Sequence, residues 1–453
     1  MTKYLSALLW FSLSAMASIA PSNFPSNQSQ HTFVDFTEAN YSIKYDIKNK
    51  KVSAYSVITF EQKEQGQPLF DLLPNATEVK INGEETKMKT VSAPDKTTSY
   101  RTIDKVLSIG THKLEIRNSF SNNLKFEESG VQSAFWMSDL KDRKYLEQYL
   151  PTNIEFDQYK MNLNIKFANT SVNQVVYSNG DITKASNTEY SIEFPKYFTA
   201  SSMFFHTATE GRFEEKRYDF KSINGNVVPV IVYGKKSFWG GSTVTKAVKQ
   251  SKSVLTELES KLGAWSHKSV VIYSAGGGGL GLGGMEYSGA TMTSLGALGH
   301  ELTHSYFARG VMPIDGNSGW MDEAIASWRD DGYKSVKKPN FSSTSMAAHS
   351  QYRRTTDDKA YNQGSSFMSY LNYNLKNLGG LEAFLSKMYE KYTHKNINTE
   401  MFRAELEAFS GLNFEKDFNK YIYGQGKKAL KAKAEKKNPY HPKLTREQLL
   451  DLL

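Results

Sequence analysis

The sequence predicts an α+β protein in which an all-β N-terminal region precedes a region of mixed strands and helices. Its 453 residues are too many for one compact core and indicate about two or three domains. Apolar and polar residues alternate over residues 41–48 and again over 161–167, which is the period-two pattern of half-buried strands. We therefore predict a β-rich domain over residues 31–214 and a second domain over 215–426.

The N-terminus has the features of a secretory signal peptide. Lys3 precedes an apolar run over residues 4–13, and small residues follow it up to Ala20. We predict a signal peptide over residues 1–17, cleaved after Ala17, and export to the periplasm or the extracellular space. A buried N-terminal helix or a retained anchor is the alternative. The polar run over residues 18–30 is predicted to be a flexible leader.

Composition excludes several classes of function. The chain has no cysteine, so disulfides and thiol chemistry are excluded. The net charge of +9 is diffuse except near the C-terminus, where residues 427–453 are predicted to form a basic tail with a short terminal helix. A nucleic-acid partner is therefore not expected. No stretch after the predicted signal peptide is apolar for long enough to cross a bilayer, so no transmembrane segment is expected in the mature chain.

The second region begins with alternating strands and helices. Residues 227–233 and 270–273 are predicted strands, and residues 244–262 between them are a predicted helix. A glycine-rich loop follows at residues 276–284. No lysine followed by Ser or Thr ends this loop, so a phosphate-binding function is poorly supported. Its glycines are better suited to letting a substrate backbone lie close to the protein backbone.

The most specific motif is HELTH at residues 300–304. On a helix, residues four apart project from one face with Cβ atoms about 6 Å apart, so His300 and His304 can bind one metal ion. Neutral imidazoles suit zinc, which in catalytic sites takes three protein ligands and leaves a position for water. Glu301 can reach that water as a general base. Apolar residues at near-helical spacing around the motif indicate that it lies on a helix.

This motif supplies only two ligands. Residues 310–319 contain glycines and a proline and are predicted to form a turn, after which a second helix begins near Trp320. Eighteen residues separate His304 from Glu323 in the first turn of that helix. This gap is long enough for the chain to reverse and bring a carboxylate back to the metal.

The motif and its spacing resemble those of a known family. HELTH, the gap of eighteen residues and the segment WMDEA at residues 320–324 resemble the aminopeptidase N family of zinc gluzincins. The resemblance implies that Glu323 is the third ligand of one zinc ion per chain. It also implies a saddle-like sheet domain followed by a thermolysin-like α/β catalytic domain, with peptides or proteins as substrates.

The segment GGMEY, residues 283–287, resembles the family's Gly-X-Met-Glu-Asn segment, with Tyr287 in place of the asparagine. In the family this segment is an edge strand along the cleft, and its glutamate holds the free α-amino group of the substrate. The resemblance therefore implies a substrate-binding role for Gly283, Gly284, Met285 and Glu286.

A later segment, AYNQG at residues 360–364, resembles the family's Tyr-Glu-Lys-Gly element. By this resemblance Tyr361 is the catalytic tyrosine that donates a hydrogen bond to the oxyanion. We therefore predict an exported zinc aminopeptidase with Glu301 as general base. A zinc endopeptidase with an open cleft and a non-catalytic surface-binding protein that retains the fold are the alternatives.

Overall fold

The structure of the chain is a computed structural model that describes residues 20–138, 144–236, 242–275, 283–314, 318–347, 349–352 and 355–425. The predicted signal peptide, most of the glycine-rich loop and the predicted C-terminal tail lie outside the described residues.

The first half of the described chain is built almost entirely of strands. One short 3-10 helix, Leu146–Gln148, interrupts them. The strands are β1 (Phe24–Ser26), β2 (Ser29–Phe33), β3 (Asp35–Asp46), β4 (Lys51–Gln62), β5 (Gln67–Leu69), β6 (Ala76–Ile81), β7 (Glu84–Glu85), β8 (Met88–Ser92), β9 (Ser99–Ile103), β10 (Gly110–Asn118), β11 (Leu124–Phe126), β12 (Val131–Ala134), β13 (Lys160–Ala168), β14 (Gln174–Ser178), β15 (Asp181–Ser186), β16 (Glu189–Glu193) and β17 (Phe205–Thr209).

The largest sheet confirms the predicted alternation. Its eight strands have the order β15-β16-β13-β3-β4-β10-β6-β7, and β3 pairs with β13 in parallel. Tyr41, Ile43 and Tyr45 on β3 are at most 1% exposed, whereas the residues between them face solvent. One face of the sheet therefore packs on the core because successive side chains of a strand point to opposite faces.

The predicted flexible leader is wrong for the part of residues 18–30 that forms strands. β1 and β2 pair antiparallel, and β2 pairs in parallel with β5. Phe24 packs edge-on against Tyr352 at a centroid distance of 5.7 Å, and the Tyr352 hydroxyl donates to the Ser22 carbonyl at 2.9 Å. These contacts join residues about 330 apart in sequence. Tertiary packing therefore holds β1 and β2 in place, and a search for local periodicity in the sequence does not detect such long-range contacts.

The second half combines strands with helices. Its strands are β18 (Phe213–Lys221), β19 (Val227–Lys235), β20 (Val270–Ser274), β21 (Gly284–Tyr287), β22 (Ala290–Thr293), β23 (Val311–Pro313) and β24 (Lys395–Ile397). Its helices are α1 (Thr243–Leu262), α2 (Leu298–His304), α3 (Trp320–Asp330), α4 (Lys359–Asn374), α5 (Gly380–Tyr392), α6 (Thr399–Ser410) and α7 (Glu415–Tyr421), with a 3-10 turn at Lys376–Leu378.

Strands β18 to β22 form a five-stranded sheet of order β18-β19-β20-β22-β21, with β21 at its edge. The predicted strands at 227–233 and 270–273 and the predicted helix at 244–262 are confirmed. The Ser242 hydroxyl caps α1 by accepting from the Thr245 amide at 3.0 Å. The predicted turn at 310–319 is only partly correct, because Val311–Pro313 forms β23 and pairs with β24.

Two helices bring the histidine motif and the acidic segment together. α2 follows β22 and packs against both α1 and α3, and α3 packs along α4. Gly364 of α4 faces Ala324 of α3 so closely that a Cβ on it would lie 2.6 Å from the Ala324 Cβ. Among the residues that the structure describes, no helix is both long enough and apolar enough to span a membrane.

Candidate metal centre and active site

The motif HELTH lies on α2, and all seven residues of this short helix are buried. His300 and His304, four residues apart, present their rings on the same face, with ring centroids 4.8 Å apart. The helix is anchored on its other side by Leu298 and Leu302 in the core. The sequence-based prediction that both imidazoles converge is therefore confirmed.

Glu323 joins the two histidines from the first turn of α3. Its Oε2 lies 3.1 Å from His300 Nε2 and 3.6 Å from His304 Nε2. The ligand atoms of the three side chains all lie within 4.8 Å of one another, and each side chain is at most 4% exposed. Bonds of about 2.0–2.1 Å to a tetrahedral ion would separate its ligand atoms by roughly 3.3 Å. The observed separations fit that geometry.

The charges of His304 and Glu323 also suit a cation. Burial lowers the pKa of His304 below its ordinary value, which favours the neutral imidazole. Burial alone would raise the pKa of Glu323, but the neighbouring His304 and His300 lower it to about 2. Neutral imidazole and ionised carboxylate are the protonation states that metal ligands require. In addition, His304 Nδ1 is buried without a hydrogen-bond partner in the described part of the chain.

Asp330 orients the first histidine and was not identified from the sequence. His300 Nδ1 lies 2.7 Å from Asp330 Oδ2, to which its N–H donates. Burial lowers the pKa of His300, but hydrogen bonds to Asp330 and Glu323 outweigh this effect and hold it well above the ordinary value. Asp330 stands seven residues after Glu323, so both lie on one face of α3. The seven-residue spacing from Glu323 is the sequence feature from which Asp330 could have been identified.

A chain of ion pairs extends from Asp330 to α1. Arg329 Nη1 lies 3.1 Å from Asp330 Oδ1, and Arg329 Nη2 lies 2.8 Å from Glu257 Oε2. Gly299 makes room for this guanidinium, because a Cβ at that position would lie 2.1 Å from Arg329 Nη1. The hydrogen bond to His300 is thereby supported by three helices.

Glu301 lies beside the candidate metal ligands, as the motif predicts. Its carboxylate, that of Glu286 and an imidazole nitrogen of His304 lie within 4.8 Å of one another. Gly284 on the edge strand allows this position, because a Cβ there would lie 2.4 Å from Glu301 Cγ. Any larger residue at position 284 would displace the carboxylate.

Tyr361 lies in the first turn of α4 and is brought to the same site. Its hydroxyl donates to Glu323 Oε1 at 2.6 Å, and its ring is parallel to that of His300 at a centroid distance of 6.1 Å. The tyrosine is 6% exposed. A phenolic O–H has one proton to donate, and here it donates to a candidate metal ligand.

The GGMEY segment forms the edge strand β21, as the resemblance implied. The Met285 side chain is 5% exposed and belongs to the core. Only the backbone of Met285 therefore lies at the edge of the five-stranded sheet. The Tyr287 hydroxyl donates to the Phe135 carbonyl at 2.9 Å and ties the strand to the first half of the chain. The Gly283 carbonyl accepts from the Ser294 amide at 3.1 Å.

Glu286 forms an ion pair that the sequence did not reveal. Arg309 Nη2 lies 2.7 Å from Glu286 Oε1, and the two side chains are 2% and 4% exposed. Arg309 follows His304 by five residues, and its amide donates to the His304 carbonyl at 2.9 Å. In the sequence it is one charged residue within a largely apolar segment, and no local pattern indicates that it turns back towards the site.

His300, His304 and Glu323 fit a divalent metal ion. Two imidazoles and one carboxylate are a common donor set of catalytic zinc sites. A metal at this position would also have a carboxylate, Glu301, and a phenol, Tyr361, nearby. The arrangement can therefore hold a Lewis acid next to a proton acceptor and a hydrogen-bond donor.

No protein-family model and no curated protein sequence matches the chain. Solved structures do match it. The M1 zinc metallopeptidase from Deinococcus radiodurans is 15% identical over 89% of this chain and 96% of that chain, with a TM-score of 0.63. Native yeast LTA4 hydrolase is 12% identical, over 88% and 69%, with a TM-score of 0.60. Legionella pneumophila aminopeptidase A, solved with aspartic acid, is 11% identical, over 86% and 49%, with a TM-score of 0.63.

These likenesses show that the chain has the fold of M1 zinc metallopeptidases. The resemblance drawn from the sequence motifs is thereby confirmed at the level of the fold. A variant of the Deinococcus radiodurans enzyme was solved with a Tyr-Ser-Ala substrate, at 15% identity and over 88% of this chain.

Proposed function

We propose that this protein is a zinc metallopeptidase that removes N-terminal residues from peptides. The observation that carries the proposal is the buried group of His300, His304 and Glu323, whose ligand atoms lie within 4.8 Å of one another. Glu301 lies beside this group and supplies the general base that peptide hydrolysis needs. The fold shared with M1 peptidases supports the same reaction.

The roles of the side chains follow from their positions. When bound, zinc supplies a Lewis acid that polarises a carbonyl and lowers the pKa of a water molecule. Glu301 takes the proton from the attacking water and delivers it to the leaving amine. Tyr361 donates a hydrogen bond to the developing oxyanion. Asp330 holds His300 so that its Nε2 faces Glu323.

Selectivity for the first peptide bond is assigned to Glu286. This carboxylate lies on the edge strand next to Glu301 and His304, where it can accept from the ammonium of a bound peptide. Its pairing with Arg309 supports a second candidate, a zinc endopeptidase, because a carboxylate that already has a cation binds an ammonium less strongly.

Metal analysis and hydrolysis assays test the proposal. Purified protein should contain about one zinc per chain and hydrolyse a panel of amino-acid anilides, whereas Glu301→Gln should retain the metal and lose hydrolysis. One peptide with a free and with an acetylated N-terminus then separates the two candidates. Equal cleavage of both forms would contradict the aminopeptidase, and no hydrolysis after zinc is added would contradict the peptidase.

The proposal extends to the layout of the chain. We propose a saddle-like sheet domain over residues 31–214, a thermolysin-like catalytic domain over 215–426 and a basic tail over 427–453. Residues 1–17 are proposed to be a signal peptide for export. N-terminal sequencing of the exported protein should begin at residue 18, and intact residues 1–17 on exported protein would contradict the cleavage.

A further inference from the structure

Arg309 and Glu286 form the only described arginine–glutamate pair of the site in which both side chains are almost completely excluded from solvent. Arg309 Nη2 donates to Glu286 Oε1 at 2.7 Å. The side chains are 2% and 4% exposed. Because a buried charge is stable only when it is paired and hydrogen-bonded, each of the two groups compensates the charge of the other and helps to fix its position.

Residues from the first half of the chain hold the guanidinium in place. Arg309 Nη1 donates to the Ser201 hydroxyl at 3.0 Å and lies 3.6 Å from Glu155 Oε1. The Tyr145 ring lies 5.8 Å from the guanidinium carbon. At the backbone, the neighbouring Ala308 has a φ of 146°, a conformation that is uncommon for residues other than glycine. Arg309 is therefore positioned by several elements and not by Glu286 alone.

The ion pair lies directly beside the catalytic groups. Glu286, Glu301 and His304 have ligand atoms within 4.8 Å of one another, and His304 is also part of the metal-ligand group. With zinc bound, the charges of Glu286, Glu301 and Glu323 would add up to minus three and would be opposed by the dication and Arg309. Glu155, 3.6 Å from Arg309 Nη1, adds one further negative charge at the other end of the guanidinium. Glu286 itself is therefore paired without any charge from a substrate.

Removal of the arginine charge would leave one negative charge at Glu286. A substrate ammonium could neutralise that charge, whereas an acetylated or internal peptide nitrogen could not. In the native protein Arg309 already supplies this positive charge and occupies Glu286 Oε1. An ammonium must then share the carboxylate with a guanidinium and is repelled by it.

We propose that Arg309 is a specificity-determining residue that weakens the requirement for a free N-terminus. It pairs with Glu286, so the site prefers a free over a blocked amino end less strongly than it would with an unpaired carboxylate. This inference rests on the proposed peptidase function and names the residue that adjusts its selectivity.

The test compares one peptide with a free and with an acetylated N-terminus. The measured quantity is the ratio of the two kcat/KM values for zinc-loaded wild type and Arg309→Gln. We expect the ratio of free to acetylated to rise about tenfold or more in the variant, through a lower KM for the free peptide. Arg217→Gln, on an exposed arginine paired with Glu215, is the matched control and should leave the ratio unchanged. A ratio within about twofold of wild type in folded Arg309→Gln would overturn the proposal.

A second variant covers the case in which Arg309→Gln does not fold. The double variant Glu286→Gln with Arg309→Gln removes both charges of the pair, so it leaves no unpaired buried charge. Because Arg309 neutralises Glu286 in the native protein, the double variant should keep the ratio within about tenfold of wild type. A decrease of about a hundredfold or more, as expected for loss of a carboxylate that is the sole partner of a buried ammonium, would overturn the proposal.

Calorimetry tests the role of Arg309 without hydrolysis. L-leucinamide and N-acetyl-L-leucinamide are titrated into zinc-loaded protein that carries Glu301→Gln, with and without Arg309→Gln. We expect the Kd of L-leucinamide to fall about tenfold with Arg309→Gln, and that of the acetylated compound to stay constant. Unchanged binding of both compounds would contradict the proposed role of Arg309. A wild-type protein that hydrolyses no peptide would contradict the peptidase proposal independently.

Discussion

His304 borders two clusters of side chains that differ in how their charge is balanced. On one side, His300, His304 and Glu323 place three potential metal-ligand atoms around one point. On the other, Glu286 is paired at 2.7 Å with Arg309. The first cluster therefore has the donor set of a metal site, whereas in the second the protein itself supplies the cation. Under the proposed function, the first cluster carries the chemistry, and Arg309 weakens recognition of the substrate's amino end at the second.

The largest effect should come from Glu301, which lies between the two clusters. Glu301→Gln keeps the size of the side chain but cannot accept the proton from water, so kcat should fall about a thousandfold, or about 4 kcal/mol. Zinc content should not change, because Glu301 is not assigned as a ligand. Hydrolysis of an anilide and metal analysis on the same sample measure both. A decrease of less than tenfold would show that another group is the base.

A further buried carboxylate, Asp157, sharpens the comparison because no lysine or arginine forms an ion pair with it among the described residues. It accepts from the Phe36 amide at 3.1 Å and from the Asn153 side chain. Burial raises the pKa of Asp157 to about 7. Its neutral form therefore stabilises the fold fully below pH 4, and this contribution is lost as the pH rises through 7.

Asp157→Asn should remove this part of the pH dependence. Because about three pKa units correspond to on the order of 3–4 kcal/mol, the free energy of unfolding of wild type should fall by that amount relative to the variant between pH 4 and pH 8. Denaturant unfolding at several pH values measures the difference. Asp219→Asn, at an exposed position, is the control. Parallel curves for wild type and Asp157→Asn would contradict the expectation.

A variant of Tyr361 tests whether the side chain next to the candidate metal ligands donates the hydrogen bond to the oxyanion. Tyr361→Phe should lower kcat about a hundredfold, or about 2.7 kcal/mol, with little change in KM, because the hydrogen bond is made in the transition state. Tyr370→Phe on the same helix, whose hydroxyl bonds Asp417, is the matched control. If both variants keep wild-type kcat, Tyr361 has a packing role only.

A variant of Asp330 tests how the metal ligands are oriented, separately from the Glu286–Arg309 pair. Asp330→Asn should weaken zinc binding about 10–100-fold, because the hydrogen bond that fixes the His300 ring becomes weaker. The ratio of free to acetylated substrate should not change once zinc is saturating. Asp331→Asn, at the neighbouring and more exposed position, is the control. Equal zinc affinity in both variants would assign Asp330 to the fold alone.

Much of the candidate metal-ligand group could be predicted from the sequence, because its geometry depends on spacing within single helices. Residues four apart on a helix share a face whatever surrounds them, so His300 and His304 were identified from spacing. Glu323 was identified through the resemblance, from the gap of eighteen residues that separates it from His304. Asp330 is on the same face of α3 as Glu323 and could have been found by the same periodicity. The alternation on β3 likewise specified a buried face.

The surroundings of Glu286 and Arg309 were decided by the tertiary structure. Arg309, Ser201 and Glu155 come from three separate parts of the chain, and no local period relates them. Their meeting depends on how the two halves pack, as does the ordering of Phe24 against Tyr352. Sequence alone determined which residues share a helix or strand face, because backbone geometry fixes those periods. The charge balance at Glu286 depends on which distant side chains are excluded from water together, and only the packed fold determines that.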